Sequence, residues 1–228
     1  MRRLPSNLEA RIEALRTNRY LKGLDESVLD FLAAQTQLQS YQGEESIIHE
    51  GQQGPGLFII ESGRVKIYIG STSGREMIIN VLEEGDSFNE VPVFDGGDNP
   101  ANVTAVLETR LWLIDAEALR SLITDYPAAA RQIIINLSQN LRLMVGKVAE
   151  MSFFTVTARL ARLLKDIPES QFDGSGPSRL TQDDLAARVG TVREVVARSL
   201  KELEKFGAIE IKRGKIRVLD HQKLTDWQ

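Results

Sequence analysis

Arg193, Glu194 and Arg198, in TVREVVARSLKEL, have side-chain types and a spacing suited to reading the edges of DNA bases. At about 100° per residue, Arg193, Glu194, Ala197 and Arg198 fall within a helical arc of roughly 140°. Arginine offers a rigid fork to guanine O6 and N7, and glutamate accepts from the N4 amino group of cytosine. The same residues also have a plainer use. Thr191 and Glu194 fit a capping box, and Glu194 with Arg198 is an i, i+4 ion pair of the kind found on solvated helices.

The flanking chain favours the first use. In LTQDDLAARVG, Thr181 is placed to cap a helix whose inner side is Leu185, Ala186 and Val189, and Gly190 permits a sharp exit. A second helix, from near Thr191 to about Phe206, turns Val196, Leu200 and Leu203 inward. Such a helix-turn-helix places its second helix in the major groove. In GAIEIKRGKIRVL, Ile209, Ile211, Ile216 and Val218 alternate around an Arg213-Gly214 turn. That hairpin carries Lys212, Arg213, Lys215 and Arg217, cations suited to gripping phosphates. The candidate DNA contacts are Thr181, Gln182, Thr191, Val192, Arg193, Glu194, Arg198, Lys201, Lys212, Arg213 and Lys215.

Other chemistries lack their groups. The absence of cysteine removes disulfides, thiolate catalysis, cysteine zinc sites and iron–sulfur clusters together. His49 and His221 are the two imidazoles, too few for a histidine metal enzyme or a cupin-type barrel, and there is no serine elbow or GxxxxGK[ST] loop. The expectation is a protein that is not an enzyme and holds no metal. No apolar run approaches the ~18 residues of a membrane span, and MRRLPSNLEARIEAL has no apolar signal core, so a cytoplasmic location is expected. The net charge of −4 is uneven, with 14 Lys and Arg against 11 Asp and Glu (+3) in residues 151–228, leaving −7 for residues 1–150. A basic C-terminal third on an acidic body suits an anionic partner such as nucleic acid.

The elements that must position these residues differ along the chain. From about Leu38 to Asp115 short β-rich runs are punctuated by glycine; Val65, Ile67 and Ile69 alternate with Arg64, Lys66 and Tyr68, predicting a sandwich or jelly-roll barrel, flanked by a helix around Leu24 to Leu32. The period then changes. Between Ala128 and Met151, Ile134, Leu137, Leu141, Met144, Val148 and Met151 recur at steps of three and four, a seam suited to a two-stranded coiled coil with a second copy of the chain. SFFTVTARLARLLKDI predicts a further helix with Phe154, Leu160, Leu163 and Leu164 in its core, ended by the loop FDGSGPS.

In order and spacing the chain resembles the Crp/Fnr family of bacterial transcription regulators over nearly its full length. The resemblance is carried by LFIIESGRVKIY and GDSFNEVPVFDG, by the long heptad helix, and by LAARVGTVREVVARSLKELEKFGAI. It implies an α+β fold: an N-terminal cyclic-nucleotide-binding-type β-barrel of jelly-roll form with flanking helices over 1–124, a dimerisation helix over 125–151, and a C-terminal winged helix-turn-helix over 152–228. It also implies RNA polymerase as a partner, and Arg193, Glu194 and Arg198 as readers of TGTGA-type half-sites. Val192 stands at the usual polar cap position, so capping is expected to move to Thr191.

The implied effector pocket comprises Phe88, Asn89, Glu90, Val91, Pro100, Ala101, Met144 and Val145. In cyclic-AMP-binding members an Arg-Ser pair takes the phosphate, whereas this chain has Pro100-Ala101. Glu90, the implied ribose-binding carboxylate, is kept, but Asn89 replaces the glycine before it, and the polar adenine contacts become Met144 and Val145. Burying a phosphate without a cation costs several kcal/mol, so an effector other than cyclic AMP, or none, is expected. Haem bound among Phe88, Val91, Met144 and Val145 is the rival ligand, and a cyclic-nucleotide module acting on a protein partner is the rival function.

Overall fold

The computed structural model describes residues 1–71, 74, 76–168, 170–173 and 180–227, without the side chains of Phe172 and Asp173. The FDGSGPS loop lies outside them from Gly174 onward. The chain divides into two compact units: Met1–Gly70 with Ile79–Arg142, and Ser71–Ile78 with Leu143–Gln228.

Elements of the first part of the chain are β1 (Arg2–Leu4), α1 (Leu8–Thr17), α2 (Glu26–Ala34), β2 (Thr36–Tyr41), β3 (Ser46–Ile48), β4 (Gly56–Ser62), β5 (Arg64–Gly70), β6 (Glu76–Glu83), β7 (Ser87–Phe88), α3 (Glu90–Asp95), β8 (Asn102–Ala105), β9 (Thr109–Asp115), α4 (Ala116–Asp125) and α5 (Pro127–Phe153). The strands form a sheet ordered β1-β2-β9-β4-β7 and another ordered β3-β8-β5-β6. Residues of both sheets, among them Tyr41, Phe58, Ile60, Val65, Phe88, Val103 and Leu111, make one core between them. Period-two alternation along β4 explains the layering. Phe58 and Ile60 enter that core, while Leu57 and Ile59 face a second core built with Leu15, Tyr20, Leu32, Leu119 and Ile133 of the helical side. Full burial of each such side chain contributes about 1.5–3 kcal/mol. The architecture is the expected β-rich domain followed by a long helix; β1 and α1 were not legible in the sequence.

α5 shows two faces. Ala129, Ile133 and Asn136 are buried, whereas Ile134, Leu141 and Val148 are 63%, 65% and 64% exposed. Val145 is exposed with them, and at about 100° per residue this stripe lies roughly 120° from the buried face. Of the six seam residues, Ile134, Leu141, Val148 and Met151 are exposed, while Leu137 packs against the helical-side core and Met144 is half-buried. The exposed stripe therefore follows positions 134, 138, 141, 145 and 148, with Ser138 inside it.

The second unit holds α6 (Val156–Asp166), α7 (Ser170–Asp173), α8 (Gln182–Val189), α9 (Arg193–Lys205), β10 (Ile209–Lys212), β11 (Lys215–Val218) and α10 (His221–Asp226). One core joins Leu160 and Leu164 of α6, Leu185 and Val189 of α8, Val196, Leu200 and Leu203 of α9, and Ile209, Ile216 and Val218 of the hairpin. The stretch expected as one helix from Ser152 is broken: α5 ends at Phe153, and the Thr155 side chain accepts from Ala158 N to start α6. Phe154 is not a core residue of that helix; its ring lies under the Arg162 guanidinium, 3.5 Å away.

Candidate nucleic-acid interface and effector site

α8 starts with a reciprocal capping box. The Thr181 hydroxyl accepts from Asp184 N, and the Asp184 carboxylate accepts from Thr181 N at 2.7 Å. Its end is set by Gly190 at φ +75°, a left-handed conformation that costs glycine little, from which Thr191 N donates to Ala186 O at 2.9 Å. Arg159 of α6 braces this turn by donating from Nε to Val189 O at 3.1 Å. Inside, the hydroxyls of Thr157 and Ser199 meet at 2.8 Å, and Thr157 also donates to Glu202 Oε2 at 2.8 Å. That buried link between α6 and α9 was invisible to a pattern search because its partners are more than forty residues apart.

α9 begins two residues later than expected. Val192 is its N-cap with extended backbone and no side-chain cap bond, so the expected transfer of capping to Thr191 does not occur. The chain leaves the turn with Thr191 on the non-helical side, one residue too early for its hydroxyl to reach the first-turn N–H groups. Arg193, Glu194, Arg198 and Lys201 are all exposed, and Val196, Ser199, Leu200 and Leu203 are buried on the opposite side. The Glu194–Arg198 ion pair of the plainer use is not formed; among the described residues neither side chain has an ionic partner. Arg193 faces Asp183 at 3.6 Å, an exposed pair of little weight.

The hairpin pairs Lys212 with Lys215 across Arg213 and Gly214, which have φ of +50° and +73°, the two positive values of a type I′ turn. Lys212, Arg213 and Lys215 are exposed, and Lys212 holds Glu210 at 2.7 Å. Thr181 is exposed and Gln182, Thr191 and Val192 are half-buried. The candidate DNA contacts thus all belong to one unit, on α8, α9, the turn between them and the hairpin.

The expected effector residues are less unified. Phe88 is buried and stacks on Phe58 with ring centroids 5.0 Å apart, a core role, whereas Val91 is exposed on α3. Asn89 adopts φ +76°, the left-handed region in which asparagine substitutes for glycine most readily, and its amide donates to Gly56 O at 2.7 Å. The Glu90 carboxylate is engaged: Oε1 accepts from the Tyr20 hydroxyl at 2.9 Å and from Asn140 Nδ2 at 2.8 Å. Burial, and then the Glu90 charge, push the Tyr20 phenol well above its ordinary pKa, so it stays a donor. Pro100 is exposed and Ala101 buried before β8, and no Lys or Arg occurs from Phe88 to Ala101. Two arginines nearby are occupied: Arg19 lies 4.0 Å from Glu90, and Arg120 donates to Val93 O at 3.3 Å. Met144 and Val145 lie beyond Arg142, in the other unit.

Comparison with known proteins matches both halves. Residues 38–126 match the family model for the cyclic nucleotide-binding domain, and residues 158–227 match that for the Crp-like helix-turn-helix domain. The CRP-like cAMP-activated global transcriptional regulator of Mycobacterium tuberculosis (strain ATCC 25618 / H37Rv) is 29% identical over 209 residues, covering 90% of this chain and 93% of that protein. The cAMP-activated global transcriptional regulator Vfr of Pseudomonas aeruginosa is 32% identical over 199 residues, covering 84% and 92%. A crystal structure of a Crp/Fnr-family regulator from Eubacterium rectale has the same fold, with a TM-score of 0.76 at 21% identity over 92% of this chain and 97% of that one. With a Crp-like helix-turn-helix following a cyclic-nucleotide-binding domain, and with such relatives along most of its length, the chain belongs to the Crp/Fnr family of DNA-binding transcription regulators.

Proposed function

We propose that this chain is a homodimeric, sequence-specific regulator that reads a TGTGA-like palindrome, acts in the cytoplasm with RNA polymerase, and answers to an effector other than cyclic AMP or to none. The observation that carries the DNA reading is the outward face of α9, where Arg193, Glu194 and Arg198 stand exposed beside a hairpin of exposed cations. Base-edge recognition needs donors and acceptors that are not already satisfied, and Glu194 and Arg198 meet that need. Dimerisation is supported by the exposed apolar stripe of α5, because a helix serving its own domain alone keeps such residues covered.

Both relatives named above are cAMP-activated. Against the same ligand here stand the absence of a cation from Phe88 to Ala101 and the engagement of Glu90 by Tyr20 and Asn140. The haem reading has little support: Phe88 is committed to the core, and His49 is exposed, with Nε2 3.3 Å from the Ser46 hydroxyl. Control by any ligand then works by favouring one of two packings of the paired α5 helices, which requires that it bind one packing better.

Fluorescence anisotropy on a labelled TGTGA-type palindrome, without and then with cyclic AMP, tests both parts. Tight, steeply salt-dependent binding without ligand is the expected result. Binding that arises only with cyclic AMP overturns the effector assignment, and none in either condition overturns the DNA reading.

A further inference from the structure

Three segments far apart in the sequence meet at the Glu90 carboxylate. From the loop after α1, the buried Tyr20 donates its hydroxyl to Oε1; from α5, Asn140 Nδ2 reaches the same oxygen and lies 3.1 Å from the Tyr20 hydroxyl. One turn earlier on α5 the buried Asn136 donates to Arg19 O at 2.9 Å. Asn136 and Asn140 continue the line of Ala129 and Ile133, so the inner face of α5 changes along its length from apolar packing to hydrogen bonding. A purely apolar seam holds a helix whatever is in solution. A carboxylate whose side chain keeps 14% exposure can instead exchange its donors for those of a ligand.

We propose that Tyr20 and Asn140 are positioning residues that fasten α5 through Glu90, so that an effector taking over the Oε1 oxygen must first release the helix. This rests on the regulator function only for its consequence at DNA; the fastening itself is a property of the first unit. Both donors converge on one acceptor oxygen. An effector that displaces them must therefore bring hydrogen-bond donors, as a vicinal diol or an amide does, and a simple anion does not qualify. Freed at Asn140, α5 keeps the contacts of Ala129, Ile133 and Asn136 but loses the hydrogen bonds that hold the next turn of its inner face.

The test is hydrogen exchange by mass spectrometry on the full chain, read in segments 18–22 and 132–142, together with affinity for the palindrome and the thermal midpoint. Asn140→Ala and Glu90→Ala should speed exchange in both segments by about tenfold and change the palindrome affinity at least about fivefold in either direction. Glu90→Gln, whose amide oxygen accepts the same two bonds, should stay within about twofold of the parent. Tyr20→Phe keeps the packed ring and removes one donor, so it reports even where an alanine variant folds poorly; about threefold faster exchange in segment 132–142 is expected. Unchanged exchange in Asn140→Ala and Tyr20→Phe overturns the proposal, and so does Glu90→Gln behaving like Glu90→Ala, which would assign the effect to charge against Arg19. Should the parent chain fail to bind the palindrome, the DNA reading falls while the exchange result still decides the fastening.

Discussion

Arg198 on α9 and Glu90 at the start of α3 are both charged helical residues, yet they are treated in opposite ways. Among the described residues Arg198 has no ionic partner and is exposed; Glu90 accepts two hydrogen bonds, faces Arg19 and is largely covered. An interface kept ready for an external partner leaves its donors and acceptors unsatisfied in water, where that costs little. A charged group inside a domain is too costly to leave so, and it is used to hold the fold.

Four measurements break or sharpen this contrast. The largest effect is expected from Leu141→Glu. A carboxylate in the exposed stripe should make the sedimenting species a monomer and weaken binding to a palindrome about a hundredfold or more, since the second half-site no longer acts at high local concentration. An unchanged sedimentation profile would remove the role given to the stripe. Next, Arg198→Ala should cost about 1–3 kcal/mol on the preferred site and relax preference at one base pair. Lys212→Ala should instead weaken all sequences alike and lower the salt slope by about one. If Arg198→Ala also weakens all sequences alike, α9 is a phosphate-binding face.

The third measurement uses pH. All four tyrosines lie in the first unit, and burial pushes the Tyr41 phenol up to about 12. A raised phenol pKa adds stability that is complete below about pH 10, the unfolded value, and is lost between there and about 12, because the unfolded chain ionises first. Tyr41 should account for about 2 kcal/mol of the stability the first unit loses over that window, beside the loss from Tyr20, and Tyr41→Phe should reduce the alkaline loss by that share. A profile unaltered in Tyr41→Phe would mean that this phenol ionises equally in both states. The smallest effect is expected from Val192→Ser, which supplies the missing cap of α9 and should raise the stability of the second unit, read from its denaturation curve, by about 1 kcal/mol.

Much of the second unit was legible in the sequence because its signals are local. The inner residues of α8 and α9 recur at helical spacing, Thr181 and Asp184 cap within four residues, and Arg213-Gly214 announces its own turn. The engagement of Glu90 was not legible, since its partners lie 70 residues before it and 50 after. The register of α5 was ambiguous for a different reason. Steps of three and four fit 134, 137, 141, 144, 148 and also 134, 138, 141, 145, 148, and a serine at 138 disguised the second. Only the packing of Leu137 against its own domain separates them. Thr191 misled because a capping box is recognised by spacing, whereas the turn geometry at Gly190 decides where the helix begins.

The two faces of α5 leave separate records under mutation. Changes near Asn136 and Asn140 alter how α5 is held within the first unit, and changes along Ile134, Leu141 and Val148 alter its exposed stripe, with roughly 120° of helix between them. On the proposed function, a lineage can therefore exchange one stimulus for another by rewriting one side of a single helix while the other side, and the DNA sites proposed to depend on it, are inherited unchanged.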